Sequence, residues 1–166
     1  MTETVSIGVD LGGTAIKAGA VREGEILARA SVPTPQDEEA CLQAIAAAAR
    51  KVVEEIPERG IGLGVPGVVQ PSEDAVAGSP NLSFLTGKPL ASRVAEILGA
   101  PVRMGNDASL AALGEARHGA GTVHQDFLLV TLGTGVGGGL VLGGELLTGS
   151  GMAGEIGHIR VDHQRT

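Results

Sequence analysis

The sequence predicts a mixed α/β fold organised as two lobes on one plan. Three observations carry that prediction. Short apolar runs separated by glycine turns alternate with segments of helical periodicity. The 27 glycines are grouped between the apolar runs instead of being spread as in a linker, which signals tight turns and close backbone approach. Finally, IGVDLGGTAIKAGAVREGEIL near the start is echoed by LLVTLGTGVGGGLVLGGELL around residue 130. With one gap, Val9 aligns with Val130, Leu11 with Leu132, Gly12 with Gly133, Gly24 with Gly144 and Glu25 with Glu145. One strand–turn–strand–turn–strand unit therefore occurs twice.

Residues 5–10 read as a buried strand that meets a Gly-Gly turn, followed by strands over 15–22 and 25–31 joined at Glu23-Gly24. Pro33 and Pro35 close this unit. A helix follows, with Leu42, Ile45, Ala49, Val52, Val53 and Ile56 at helical spacing. Asp37, Glu38 and Glu39 stand in its first turn, where the helix dipole favours acids, and Pro57 and Gly60 end it. Residues 61–65 form a short strand that ends at Pro66-Gly67, and the polar stretch 70–80 reads as loop. Residues 90–98 predict a helix stopped by Gly99, 101–104 a short strand, and 106–118 a helix opened by Asn106 and Asp107. Residues 119–121 look like a hinge. Strands are then expected over 127–132, 136–142 and 145–147.

With 166 residues, 43% of them hydrophobic and 19% charged, the chain has the composition of a packed globular protein. A net charge of −7 and only two aromatic residues, Phe84 and Phe127, argue against a nucleic-acid surface. No apolar run is long enough for a membrane span, and the first ten residues carry no secretory pattern, so a cytoplasmic protein is expected. The lone Cys41 excludes an internal disulfide and a multi-cysteine zinc site, and reads as a small buried hydrophobe.

Four motifs carry chemistry. Asp10-Leu11-Gly12-Gly13-Thr14 places successive turn amides after a strand, which makes an anion nest, with Asp10 able to hold Mg²⁺. The run 133–139, Gly-Thr-Gly-Val-Gly-Gly-Gly, could form a second nest. It satisfies G-x-G-x-x-G, as do residues 62–67, but neither is followed directly by a helix, so a dinucleotide fold is rejected. Gly105-Asn106-Asp107-Ala108 opens a helix. Asn and Asp are ordinary N-caps there, yet a carboxylate at a strand end and helix mouth could also accept a proton from a substrate hydroxyl. Glu155 and His158 lie three residues apart within a glycine-rich stretch, so they share a face if that stretch turns helically. Lys17 reads as a strand-face lysine.

In order along the chain, GVDLGGT, GLGVPGVV, SPNLSF, GNDASLAALGE, TLGTGVGGGLVLGGELLTG and GMAGEIGHI resemble the ROK family of sugar kinases and sugar-responsive repressors, a branch of the actin-like ATPase superfamily. The likeness runs from Ile7 to about Val161. It implies a ribonuclease-H-like fold, with one lobe nearly complete over residues 1–120 and the start of the second over 121–166. ATP and a hexose would meet in a cleft between lobes. By resemblance, Gly8, Gly12, Gly13 and Thr14, with Gly133, Thr134, Gly135, Gly137 and Gly138, would hold the nucleotide, and Asp10 would lie at Mg²⁺. Asp107 would be the general base, and Gly67, Asn81, Asn106, Glu155 and His158 would bind the sugar.

A motif that starts within the first ten residues disfavours the family's repressor branch, whose DNA-binding domain precedes it. Family kinases run to roughly twice this length, beyond one ordinary domain. The chain is therefore expected to be a truncated kinase of little activity, self-associating through strands 127–147, with no nucleic-acid or membrane partner. Many relatives join the histidine matching His158 to a downstream cysteine cluster on zinc; this sequence has no such cluster. The resemblance further implies a homo-oligomer, a dimer. A non-catalytic sugar sensor and an actin-like ATPase without a sugar substrate stay open, as do the identity of the sugar and polyphosphate as donor.

Overall fold

The computed structural model describes residues 5–54, 56–57, 60–70, 74–79, 82–133 and 135–160. The chain divides into two compact units, Met1–Asp107 and Ala108–Thr166. The sequence-based division falls later, after residue 120, at the far end of the helix that follows Asp107.

The first unit is a five-stranded sheet with helices on one face. Its strands are β1 (Ser6–Leu11), β2 (Ala15–Arg22), β3 (Glu25–Pro33), β4 (Ile61–Val65) and β7 (Val102–Asn106), in the order β3-β2-β1-β4-β7. The first three form an antiparallel meander, whereas β4 and β7 add parallel to β1. Alternation explains the layering. Ile7, Val9 and Leu11 point to one face with Ile16, Ala18 and Ala20 opposite them, and all six are buried. Ile61, Leu63 and Val65 of β4 continue that face.

Two helices, α1 (Glu38–Arg50) and α2 (Leu90–Leu98), bury Leu42, Ile45 and Val94 in the same cluster. Asp37 caps α1 by accepting the Ala40 N–H at 2.9 Å. Arg93 of α2 pairs with Glu38 and Glu39 in the first turn of α1, which joins the helices. Gly99 ends α2 in the left-handed conformation at φ 69°.

Three elements differ from expectation. Helix α1 stops at Arg50 and does not continue to Ile56. The Val52 N–H bonds back to Ala49, tightening the last turn, and the branched Val52 and Val53 follow outside the helix. The Arg50 guanidinium instead reaches the Ile97 carbonyl of α2 at 2.7 Å. Second, the stretch expected as loop contains strand β6 (Ala75–Gly78), paired with β5 (Val68–Gln70). Val69, Ala75 and Val76 are buried, so packing overrides the polar local composition. Third, Asn106 is the last residue of β7, and helix α3 (Asp107–His118) starts one residue later than predicted.

The second unit packs α3 against a three-stranded meander of β8 (Phe127–Leu132), β9 (Val136–Leu142) and β10 (Glu145–Leu147), in the order β10-β9-β8. Helix and strand meet at glycine: a Cβ on Gly139 would lie 2.4 Å from the Ala112 Cβ and 2.7 Å from the Ala108 carbonyl oxygen. The expected hinge is a packed 3-10 turn over Ala120–Val123, with Gly121 buried beside the Phe127 ring. Glu115 accepts the Ala120 N–H at 2.7 Å and holds that turn to α3.

Candidate active site

The parallel strands set out the site. Asp10 is beside Gly64 in the pairing of β1 with β4, and Gly64 is beside Gly105 in that of β4 with β7. The carboxyl ends of the three strands therefore lie along one edge of the sheet, where open α/β sheets bind ligands. That edge gathers Asp10, Gly67, Asn106 and Asp107.

The first corner, after β1, is braced from within. The Gly12 N–H closes the turn on the Ala15 carbonyl at 3.1 Å, and a Cβ on Gly12 would meet that oxygen at 2.8 Å. Buried Thr34, which follows β3, donates its hydroxyl to the Gly12 carbonyl at 2.6 Å, and its N–H donates to the Thr14 carbonyl at 3.0 Å. With its N–H spent on the turn, Gly12 shapes the corner, and Gly13 and Thr14 follow at its tip. Thr34 was missed in the sequence, since its partner lies 22 residues away and no local pattern marks it.

Asp10 lies on the sheet face opposite the core, as does Gly8 two residues earlier. Partial desolvation, helped by the Asp107 carboxylate, pushes the Asp10 pKa up, and Lys17, its cross-strand neighbour, pulls against that rise. A carboxylate at the sheet edge whose charge is disfavoured by burial and by a neighbouring carboxylate suits a hard dication. Among the described residues no group of three or more His, Cys, Asp or Glu could hold a metal ion. A dication here would therefore share its coordination with phosphate oxygens and water, as Mg²⁺ commonly does.

Asn106 is held by its own unit. Its side-chain amide donates to the Gly67 carbonyl at 3.1 Å. Gly67 has φ of 100°, and a Cβ there would lie 1.9 Å from the Gly78 carbonyl oxygen, so only glycine fits the corner between β4 and β5. Asp107 follows directly as the first residue of α3.

In the second unit the Gly133 N–H bonds to the Gly135 carbonyl at 3.0 Å, a closure one residue shorter than that from Gly12 to Ala15. Added Cβ atoms at Gly133 and Gly135 would meet open space. Gly137 and Gly138 are instead strand residues in close packing. A Cβ on Gly137 would lie 2.7 Å from the Thr131 hydroxyl, and one on Gly138 would lie 2.6 Å from the Gly154 carbonyl oxygen. Glu155 precedes and His158 ends a 3-10 turn over Ile156–His158, with the Glu155 carboxylate 3.6 Å from the His158 Nε2. The glutamate is the more buried of the two. Asn81 and Thr134 lie outside the described residues.

The ROK family model matches residues 6–166. The chain is 43% identical to the glucokinase of Streptomyces coelicolor over 161 residues, which covers 95% of this chain and 50% of that protein. It is 37% identical to an N-acetyl-D-glucosamine kinase of Shigella boydii, covering 93% and 52%. Among solved structures, a ROK family glucokinase from Streptomyces griseus in complex with glucose and AMPPNP superimposes with a TM-score of 0.84 at 41% identity, covering 96% of this chain and 51% of that one. The chain thus spans about half the length of the curated relatives it matches. The mixed α/β architecture is that of ROK kinases of the actin-like ATPase fold, as the sequence predicted. No helix among the described residues is long and apolar enough to cross a membrane.

Proposed function

The chain belongs to the ROK family, and from that premise we propose that it carries the sugar and base residues of an ATP-dependent hexose kinase. The observation that carries the reading is the gathering of Asp10, Asn106 and Asp107 at the carboxyl ends of β1 and β7. It is supported by relatives at 37–43% identity that phosphorylate glucose or N-acetyl-D-glucosamine by name, and by a neighbour holding glucose and AMPPNP.

Asp107 accepts the proton of the acceptor hydroxyl as that oxygen attacks the γ-phosphorus and the bond to ADP breaks. Asn106, preset by its bond to Gly67, orients the sugar beside that carboxylate, and Asn81, Glu155 and His158 complete the set of hydroxyl-binding groups. The amides of Gly13 and Thr14 face the phosphates, with Gly8 and Gly12 keeping the first corner narrow. In the second corner Gly133, Thr134 and Gly135 take the phosphate-facing role, and Gly137 and Gly138 support it by close packing. Asp10 would hold Mg²⁺ together with phosphate oxygens and water. The ion supplies charge neutralisation on the transferring group.

The test is a single chain in which this sequence continues into the second half of the Streptomyces coelicolor glucokinase. That chain is expected to release ADP only when hexose is present. Asp107→Ala should lower kcat by about 10²-fold or more, the scale of a positioned general base, with a small change in KM for sugar. Near-normal kcat in that variant removes Asp107 from the reaction. Sugar-independent ADP release favours an ATPase, and calorimetric sugar binding without turnover favours a sensor. Glucose against N-acetyl-D-glucosamine, and ATP against polyphosphate, are compared in the same assay.

A further inference from the structure

Thr34 makes two bonds to one turn. It is 9% exposed and directly follows Pro33, the last residue of β3. Its hydroxyl donates to the Gly12 carbonyl at 2.6 Å and its N–H to the Thr14 carbonyl at 3.0 Å. Those two carbonyls stand on either side of the peptide between Gly13 and Thr14. A trans peptide unit is planar, so its N–H points opposite to its C=O. Drawing the Gly12 carbonyl toward Thr34 therefore turns the Gly13 N–H away from Thr34. Drawing the Thr14 carbonyl the same way fixes the next unit, and the peptide between Gly13 and Thr14 is held between two fixed neighbours.

The sheet does not need this hydroxyl for its own closure. The Gly12 N–H already closes the turn on the Ala15 carbonyl, and β2 and β3 are paired from Ala15 opposite Pro33 to Arg22 opposite Glu25. What the buried hydroxyl adds is the direction of one peptide. Gly13 is half-buried and Thr14 is exposed, so the residues whose amides this clamp sets lie at the surface of the corner. An N–H presented by a glycine turn is a donor for an anion, and fixing it beforehand removes an ordering cost from binding.

We propose that Thr34 is a positioning residue for the nucleotide: its hydroxyl and N–H hold the Gly12 and Thr14 carbonyls inward, which presents the Gly13 N–H to a phosphate oxygen of ATP. Thr34 acts through the corner and not by contact with the phosphate. The inference deepens the proposed kinase reading and rests on its assignment of the first corner to the phosphates. It does not depend on the general base, so a catalytically silent Asp107→Ala leaves it standing.

The experiment uses the single chain that joins this sequence to the second half of the Streptomyces coelicolor glucokinase, and reads AMPPNP affinity by calorimetry beside KM for ATP and for glucose. Thr34→Val should weaken AMPPNP binding and raise KM for ATP by roughly two- to tenfold, the weight of one net hydrogen bond. KM for glucose should stay within about twofold of the parent, a split that general loss of stability does not produce. Thr34→Ser, which keeps the hydroxyl, should restore the parent values. Val94→Ala, on the buried face of α2, loses stability without touching the corner and should leave AMPPNP affinity and both KM values unchanged. Should Thr34→Val not fold, Thr34→Ala removes the same hydroxyl with less bulk at the corner and gives the same readout. Equal AMPPNP affinity in the parent and the hydroxyl-free variant, a joint rise of both KM values, or a Thr34→Ser chain that does not recover binding would each overturn the inference. AMPPNP binding that depends on Thr34, without hexose-dependent ADP release, would overturn the kinase reading alone, and a parent chain that binds no AMPPNP would overturn both.

Discussion

The first and second meanders share strand order, pairing register and turn positions, yet one is the centre of a core and the other presents its matching row to water. The local pattern of apolar and glycine residues therefore determines a meander but not its burial. Burial depends on whether the chain returns with a helix and a parallel strand. In the first unit α1, β4, α2 and β7 do so; in the second, α3 covers the opposite face.

The sharpest way to break this comparison is to truncate matching residues. Leu11→Ala should destabilise the first unit by about 2–5 kcal/mol, the cost of a fully buried leucine plus its cavity. Leu132→Ala, at the matching exposed position, should fall within about 0.5 kcal/mol of the parent. Urea unfolding of both variants decides the matter, and equal losses would mean that the second row is covered after all.

The corners give a smaller contrast. Gly12→Ala drives a Cβ to 2.8 Å from the Ala15 carbonyl oxygen and should cost about 1–3 kcal/mol, whereas Gly133→Ala points into open space and should leave stability nearly unchanged. Thr34→Val removes the hydroxyl that braces the first corner and should cost about 0.5–1.5 kcal/mol in the same assay.

The least effect is expected from Asp10→Asn, and its sign is diagnostic. A carboxyl whose pKa is raised by folding binds its proton more tightly in the native state, so its charge opposes folding at neutral pH. The asparagine variant should therefore melt slightly above the parent at pH 7. That gain should shrink as the pH falls through the raised Asp10 pKa and vanish below the ordinary aspartate value of about 3.9. A variant that melts lower at pH 7 would show that the carboxylate is stabilised by its neighbours and not strained by them.

Much of the site was legible because its signals are local. The Gly12-Gly13 corner, the Pro66-Gly67 turn, and Asn106 and Asp107 at a strand end each follow from two or three adjacent residues. The repeat was legible too, since Gly24 and Gly144 both occupy a turn that needs positive φ, at 85° and 78°. Thr34 was not, nor was the division of the second glycine run into an open corner and a packed strand. Both depend on groups far along the chain, namely Gly12 for the first and α3 with Gly154 for the second.

By itself the sequence determined the strands of both meanders, the helices apart from their ends and the motifs that suggest a chemistry, because apolar alternation and turn glycines act over a few positions. The tertiary structure alone decided that α1 ends at Arg50, where its side chain finds the Ile97 carbonyl. It alone placed the Asp107 carboxylate where it raises the Asp10 pKa, and left the row on β8 exposed where the matching row on β1 is buried. Each of these is a meeting of groups distant in sequence, and only the folded chain fixes which of them come within reach.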